Sequence, residues 1–140
     1  MTTAATIDAS AAVRWFVDHP LTPNADRITQ LYDIRLAPQM IVGEVGNALW
    51  KYVRTGAIAL AQAKAALVQL TAEFVTLEQD ADHAQRAIQL AEELDHPFYD
   101  CLYLAIAEAR GVPLITDDQR LLNKLGRERR FKLVALADVS

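Results

Sequence analysis

Asp8, Glu44, Asp100 and the pair Asp117–Asp118 are the residues of this 140-residue chain whose types and placement could do chemistry together. Each adjoins an apolar run: "AATID", "MIVGEVGNAL", "FYDCLYLAIA" and "VPLITDD". A carboxylate so close to a core loses hydration, which costs free energy unless something compensates it. Several carboxylates in one place also repel one another. Hard divalent cations relieve both penalties, because they prefer oxygen ligands. One or two cations held by acids could polarise a phosphoryl oxygen and acidify a bound water, so metal-assisted hydrolysis of a phosphate ester is chemistry such a site could do. Two such ions would stand about 4 Å apart. One of the carboxylates could also take a proton from the attacking water. Ser10 and Thr116 each stand two residues from an acid, where a hydroxyl can orient a carboxylate or a metal-bound water.

Every acid also has a local explanation. Asp8, Asp117 and Asp118 could cap helices, because aspartate accepts bonds from the free amides of a first turn. Asp100 could complement the positive end of a helix dipole. Glu44 lies in a stripe of Ile41, Val42, Val45, Ala48 and Leu49, whose spacings of three and four mark a helix face turned to a core. At the edge of that stripe it could reach water. Asn47 follows one turn later on the same ridge.

The elements decide whether these acids meet. "AATID" reads as a buried strand leading into a helix, "SAAVRWFVDH", which Pro20 stops. Pro23 opens a second helix to about Ile34. "IRLAP" is a second strand, and the helix with Glu44 ends at Gly56, a left-handed cap. "LAQAKAALVQLTAEF" is helical by propensity, "FVTLE" is a third strand and "ADHAQRAIQLAEELD" a helix. Pro97 opens "PFYDCLYLAIAEARG", which Gly111 closes. "VPLIT", "DDQRLLNKLG" and "KLVAL" are strand, short helix and strand. Short apolar strands alternating with helices predict a parallel sheet of about five strands in a three-layer α/β/α sandwich. Ligands in such folds bind beyond the carboxyl ends of the strands. Asp8 and Asp117–Asp118 fall at that edge, and the adjoining helices can bring Glu44 and Asp100 to it.

Composition narrows the class. No apolar run reaches membrane-spanning length, and the N-terminus has no basic segment followed by an apolar stretch. Cys101 is the only cysteine, which excludes a disulfide framework and a cysteine zinc site within the chain. A cytoplasmic location fits. Net charge is −4, which on its face argues against nucleic acid. Setting four site acids aside from the 18 Asp and Glu leaves as many acids as the 14 Lys and Arg. "QRLLNKLGRERRFK" carries Arg120, Lys124, Arg127, Arg129, Arg130 and Lys132, and it follows Asp118 directly. Arg127, Arg129 and Arg130 are therefore candidate nucleic-acid phosphate contacts on the rim of the crevice, with a solvated face as the plain alternative. His19, His83 and His96 fit no ligand or nucleophile spacing, and surface positions are expected for them.

With these residues in place, the chain resembles the PIN-domain family, in particular the VapC-type toxin ribonucleases of bacterial toxin–antitoxin pairs. The likeness runs in order through "IDASAAVRWF", "APQMIVGEVGNALW", "FYDCLYLAIAEARGVPLIT" and "TDDQRLL". It implies one PIN-like domain over 1–140. It implies Asp8, Glu44 and Asp100 as the first three metal-binding and catalytic acids. The fourth is the aspartate of a Thr-x-Asp segment, which favours Asp118, with Asp117 as the competing neighbour. Asn47 matches the asparagine of a Glu-x-x-Asn pattern. The resemblance further implies a Mg2+- or Mn2+-dependent endoribonuclease, a homodimer and a neutralising antitoxin. The helical stretches "PLTPNADRITQLYDI" and "LAQAKAALVQL" offer apolar faces for those contacts. Two other readings compete. A haloacid-dehalogenase-like phosphohydrolase would want Asp-x-Asp where "DAS" stands. A catalytically inactive partner-binding module would not need an intact set of acids.

Overall fold

The structure, a computed structural model, describes residues 3–140. Five short strands form one sheet: β1 (Ala4–Ile7), β2 (Ile34–Pro38), β3 (Thr76–Glu78), β4 (Leu114–Thr116) and β5 (Leu133–Ala135). Their order is β3-β2-β1-β4-β5, and every neighbouring pair is parallel. In β1 Ala5, Thr6 and Ile7 are all buried, as are Leu114, Ile115 and Thr116 of β4. Consecutive buried residues face opposite sides of a sheet, so both sides are covered. The helices doing so are α1 (Ala9–Ala12), α2 (Thr22–Leu31), α3 (Ile41–Arg54), α4 (Leu60–Gln69), α5 (Asp80–Leu94), α6 (Phe98–Arg110) and α7 (Gln119–Leu125). The expected three-layer α/β/α sandwich is the fold.

Order along the sheet reverses at β1. From it the chain goes outward through β2 and β3, then returns to the other side for β4 and β5. That switch opens a crevice beyond the carboxyl ends of β1 and β4. Register fixes what faces it. Ile7 pairs with Ile115, and the Asp8 amide donates to the Ile115 carbonyl at 3.2 Å. One step further, Asp8 therefore lies beside Thr116.

Several elements depart from the expected bounds: α4 gives way to a π turn at Leu70–Phe74, β3 begins at Thr76 and β4 at Leu114, and the first two helices differ most. The first helix keeps α-geometry only over Ala9–Ala12 and tightens to a 3-10 turn at Val13–Trp15. Trp15 turns inward there, donates its Nε1–H to the Ala25 carbonyl at 2.7 Å, and packs on Phe74 at 4.7 Å. The second helix stops at Leu31, because Ile34 is taken into β2 opposite Ala4. Elsewhere the glycine and proline punctuation holds. Gly56 and Gly111 carry φ of +80° and +66° just past α3 and α6, the left-handed region that glycine enters without penalty.

Candidate active site

Asp8 is the first residue of the crevice and the most enclosed acid in it, at 7% exposure. Its Oδ1 accepts from the Ala11 amide at 3.1 Å, which caps α1, and from Ser10 Oγ at 2.7 Å. Its Oδ2 accepts a short bond from Thr116 Oγ1. Both hydroxyls do a second task. Ser10 Oγ accepts from the Asp117 amide at 2.8 Å and Thr116 Oγ1 from the Asp118 amide at 3.0 Å. The loop after β4 is thus pinned to the carboxylate at the end of β1. Burial pushes the Asp8 carboxyl up to about 7, against the pull of those three hydrogen bonds, and the charge of Asp100 adds to the rise.

Glu44 is half-buried on α3, between the buried stripe of Ile41, Val45 and Leu49 and the exposed Asn47. Among the described residues no Lys or Arg pairs with it. Tyr103, 2% exposed on α6, donates its phenol to Glu44 Oε1 at 2.6 Å. Burial raises the Glu44 pKa, the Tyr103 bond lowers it, and the charges of Asp100 and Asp80 raise it again. Burial, with the neighbouring Glu44 charge, also pushes the Tyr103 phenol up, so it stays a donor. Asp80 itself opens α5 and accepts from the Met40 amide at 3.3 Å.

Asp100, in the first turn of α6, connects the set. Its charge acts on both Asp8 and Glu44. It lines one cleft with Asp118, His96, Pro97, Arg120 and Lys124. The neighbours after β4 go separate ways. Asp117 turns to Arg14, whose Nε and Nη2 donate to its Oδ2 at 3.2 and 3.1 Å. Asp118 caps α7, accepting from the Arg120 and Leu121 amides at 2.9 and 3.3 Å, and it faces the cleft of Asp100. The cap reading and the crevice reading of Asp118 therefore hold together.

The structure does not bring every expected residue here. Asn47 makes no side-chain hydrogen bond among the described residues and borders a groove with Ala48, Lys51, Tyr52 and Thr55. Arg129 and Arg130 do not rim the crevice. They line a hollow with Pro113 and Lys132, at the amino ends of β4 and β5, and Arg130 pairs with Glu93 and Glu128. Arg127 is exposed in the loop after α7, beyond the end that faces the acids. The cause is helix direction: α7 leaves the crevice at Asp118 and carries whatever follows it to the far edge. The basic residues beside the acids are Arg120 and Lys124.

Two histidines are not surface residues. His83 is buried and bonded to Glu78 at 2.7 Å. The His96 side chain is 7% exposed, and its Nε2 lies 2.7 Å from Asp100 Oδ2. Tyr103, His96 and Asp80 were invisible to reasoning from ligand spacing, because none is an oxygen or nitrogen ligand in a recognisable pattern. The one available signal was His96 standing four residues before Asp100, a helical neighbour distance.

Among the described residues no three His, Cys, Asp or Glu side chains converge closely enough to form a finished cage for an ion. What they offer is a set of hard oxygen donors with no Lys or Arg partner on Asp8, Glu44, Asp100 or Asp118, two of them held at raised pKa. That donor chemistry fits a divalent cation that keeps part of its water shell.

Comparison with known proteins agrees with the fold. A solved structure, PAE2754 from Pyrobaculum aerophilum, superposes with a TM-score of 0.72 at 25% identity, over 98% of this chain and 93% of that one. Ribonuclease VapC1 of Mycobacterium tuberculosis is 39% identical over 100 residues, covering 70% of this chain and 73% of that protein. Ribonuclease VapC3 of Pyrobaculum aerophilum is 31% identical over 121 residues, covering 84% and 92%. The PIN domain family model matches residues 5–128, a span that holds Asp8, Glu44, Asp100 and Asp118 on one parallel sheet edge, and the chain belongs to the PIN domain family.

Proposed function

We propose that this chain is a divalent-metal-dependent endoribonuclease, the toxin of a VapBC-type pair, acting on RNA in the cytoplasm. One observation carries the reading. The Asp100 charge lies close enough to raise the proton affinity of both Asp8 and Glu44, yet no Lys or Arg among the described residues pairs with any of the three. Asp8, Glu44, Asp100 and Asp118 would hold Mg2+ or Mn2+, directly or through water. A bound cation supplies Lewis-acid polarisation of a phosphoryl oxygen and a more acidic water.

The chain's own residues do the rest. Ser10, Thr116 and the Ala11 amide fix the Asp8 carboxylate in one orientation, so no rotation is needed when a ligand arrives. Tyr103 does the same for Glu44, leaving its second oxygen open. Asp117 is withdrawn by Arg14, so Asp118 is the neighbour that faces the crevice. Arg120 and Lys124 border the same cleft and supply phosphate contacts that position RNA without reading its bases. A carboxylate already at raised pKa can take a proton from an attacking water near neutral pH.

Partners follow from relatives and surface. The ribonucleases to which this chain is similar carry VapC names, and a toxin–antitoxin complex from Klebsiella pneumoniae shares the fold, with a TM-score of 0.69 at 16% identity over 94% of this chain and 97% of that one. Trp50 on α3 and Leu60 and Val68 on α4 are more than half exposed, an apolar surface suited to an antitoxin segment or a second copy. The haloacid-dehalogenase alternative is disfavoured, because Ser10 occupies the place of its second aspartate and serves as a hydrogen-bond donor to Asp8.

The test is cleavage of a mixed RNA substrate with Mg2+, Mn2+ or EDTA, beside a phosphomonoester. Metal-dependent internal cutting of RNA, abolished by EDTA, is the expected result. Phosphomonoester turnover without RNA cleavage would overturn the reading.

A further inference from the structure

Asp100 is the acid whose charge reaches both Asp8 and Glu44 and which shares a cleft with Asp118, so the orientation of its carboxylate matters to the set. His96 is placed to do that. Its Nε2 lies 2.7 Å from Asp100 Oδ2, and its side chain is 7% exposed. Its Nδ1 is buried and has no protein partner among the described residues. A carboxylate can only accept, so Nε2 carries the hydrogen in this bond.

The backbone around His96 is unusually constrained. Asp95 before it closes α5 in the left-handed region at φ 50°, and Pro97 after it caps α6. The His96 amide donates to Ala91 at 3.2 Å, its carbonyl accepts from Cys101 Sγ at 3.7 Å, and Lys124 Nζ donates to the Asp95 carbonyl. The imidazole is thus held on a fixed turn and spans i to i+4 onto the first turn of α6. Nothing about fold stability requires a half-exposed first-turn aspartate to be gripped this way, since Asp100 already lies favourably at the positive end of its helix.

We infer that His96 is a positioning residue. It holds Asp100 Oδ2 and thereby turns Oδ1 toward the crevice shared with Asp8 and Glu44. This rests on the proposal that Asp100 binds a divalent cation. Outer partners of metal-binding carboxylates act in this manner, and their loss weakens metal affinity by roughly 10- to 100-fold.

The experiment is titration of the full chain with Mn2+ alone, followed by electron paramagnetic resonance of the free ion, without RNA. Four proteins are compared: wild type, Asp100→Asn, His96→Gln and His96→Met. Glutamine and methionine have similar length, but only glutamine carries an N–H to donate. Wild type should bind Mn2+ and Asp100→Asn should bind it much more weakly. If Asp100→Asn binds like wild type, Asp100 is no ligand, and the metal reading of this residue fails together with the role of His96. Where Asp100→Asn does lose affinity, His96→Met should weaken binding by about 10-fold or more and His96→Gln by no more than about threefold. Wild-type affinity in His96→Met, or equal losses in both variants, overturns the positioning role alone. Should His96→Met fail to fold, His96→Gln decides: an affinity near that of wild type supports the role, and a tenfold loss in a folded protein overturns it. A second readout separates positioning from packing. At saturating Mn2+ the kcat of His96→Met should recover while the half-saturating metal concentration stays raised. A packing defect would instead lower the melting temperature of both variants without that split.

Discussion

Asp8, buried, and Glu78, half-buried, are both carboxylates at the ends of parallel strands, and the chain treats them in opposite ways. Glu78 has a side chain 11% exposed, and Arg110 grips it with two bonds at 2.8 and 2.7 Å while His83 adds a third at 2.7 Å. The Arg110 bonds, with His83 behind them, hold its pKa below the usual carboxylate value although burial pulls upward. Asp8 has two hydroxyls and one amide but, among the described residues, no cationic side chain, and burial lifts it to about 7. The less enclosed Glu93 and Glu108, on helices, are likewise held below the usual carboxylate value by Arg130 and Arg86, whereas Glu44 resembles Asp8 in having only Tyr103. Burial by itself does not mark a site. The mark is burial that the chain's own cations leave uncorrected.

The largest effects should separate the two groups by activity. Asp8→Asn, Glu44→Gln and Asp100→Asn should each lower metal-dependent RNA cleavage by roughly 100-fold or more, the scale on which single groups at a reacting centre act. Glu78→Gln should leave cleavage unchanged and lower the melting temperature, because it leaves Arg110 and His83 without their shared partner. Steady-state cleavage and thermal melts of the four variants make the comparison. A Glu78→Gln enzyme as dead as Asp8→Asn would erase the distinction between the two groups.

The same contrast predicts opposite pH behaviour in the metal-free protein. Asp8 has a folded pKa of about 7, above its unfolded value. Between the two values the folded state binds more protons, so this residue's contribution to stability grows as pH falls from about 7 toward about 4. Glu78 is depressed when folded, so its contribution is present above its unfolded pKa and is lost as pH falls through the folded one. Denaturant unfolding across that range should therefore show Asp8→Asn flattening the gain at mildly acidic pH and Glu78→Gln flattening the loss at lower pH. At neutral pH Asp8→Asn should raise metal-free stability by about 1 kcal/mol or more. Mg2+ should do the same for wild type, by about 2.7 kcal/mol at a hundred times its dissociation constant, and hardly at all for Asp100→Asn. A metal-free Asp8→Asn protein less stable than wild type would show that the ionised carboxylate supports the fold through Ser10 and Thr116 and is not a strained charge.

These contrasts also explain what the sequence made legible. Strand–helix alternation places Asp8 and Asp118 at one edge whatever the details, because parallel strands all end there. Glu44 and Asp100 follow, because their helices start at that edge. The partners did not follow. Tyr103 meets Glu44 across 59 positions of sequence, and Arg14 selects Asp117 across 103. Such pairings depend on how helices pack, which periodicity does not encode. His96 was closer to hand, but its burial depends on the left-handed turn at Asp95, a residue type that only occasionally adopts it. The α7 segment misled for a geometric reason. Its 7 residues span about 10 Å at 1.5 Å each, enough to carry Arg129 and Arg130 out of the crevice that Arg120 borders.

Asp117 and Asp118 give a finer version of the same contrast, one acid corrected by Arg14 and one left open. Asp118→Asn should blunt the Mg2+ stabilisation while keeping α7 capped, since asparagine caps almost as well as aspartate. Asp117→Asn should leave the Mg2+ response intact and cost about 1 kcal/mol or less, the usual worth of a partly exposed ion pair. Thermal shift over a Mg2+ series reads both. The reverse outcome would move the fourth acid to Asp117.

The smallest effect concerns the basic residues, where two pairs on one short helix and its exit can be played against each other. Arg120 and Lys124 border the acids, whereas Arg129 and Arg130 stand at the opposite edge of the sheet, with Arg130 already engaged by Glu93 and Glu128. Phosphate contacts release counterions, so each one lost flattens the dependence of log affinity on log salt by about 0.7 for a single strand. Neutralising Arg120 and Lys124 together, as Arg120→Gln with Lys124→Gln, should weaken RNA binding evenly across sequences and flatten that slope by about 1.4. Arg129→Gln with Arg130→Gln should leave the slope where it was, although both double variants change net charge equally. Equal net charge is what makes the comparison decisive: a long-range field would treat the two pairs alike, and only contact at the crevice separates them. Fluorescence anisotropy of a labelled single-stranded RNA, with Ca2+ in place of Mg2+ to hold back cleavage, gives both slopes. Equal flattening by the two pairs would return the whole basic segment to a diffuse field around the molecule.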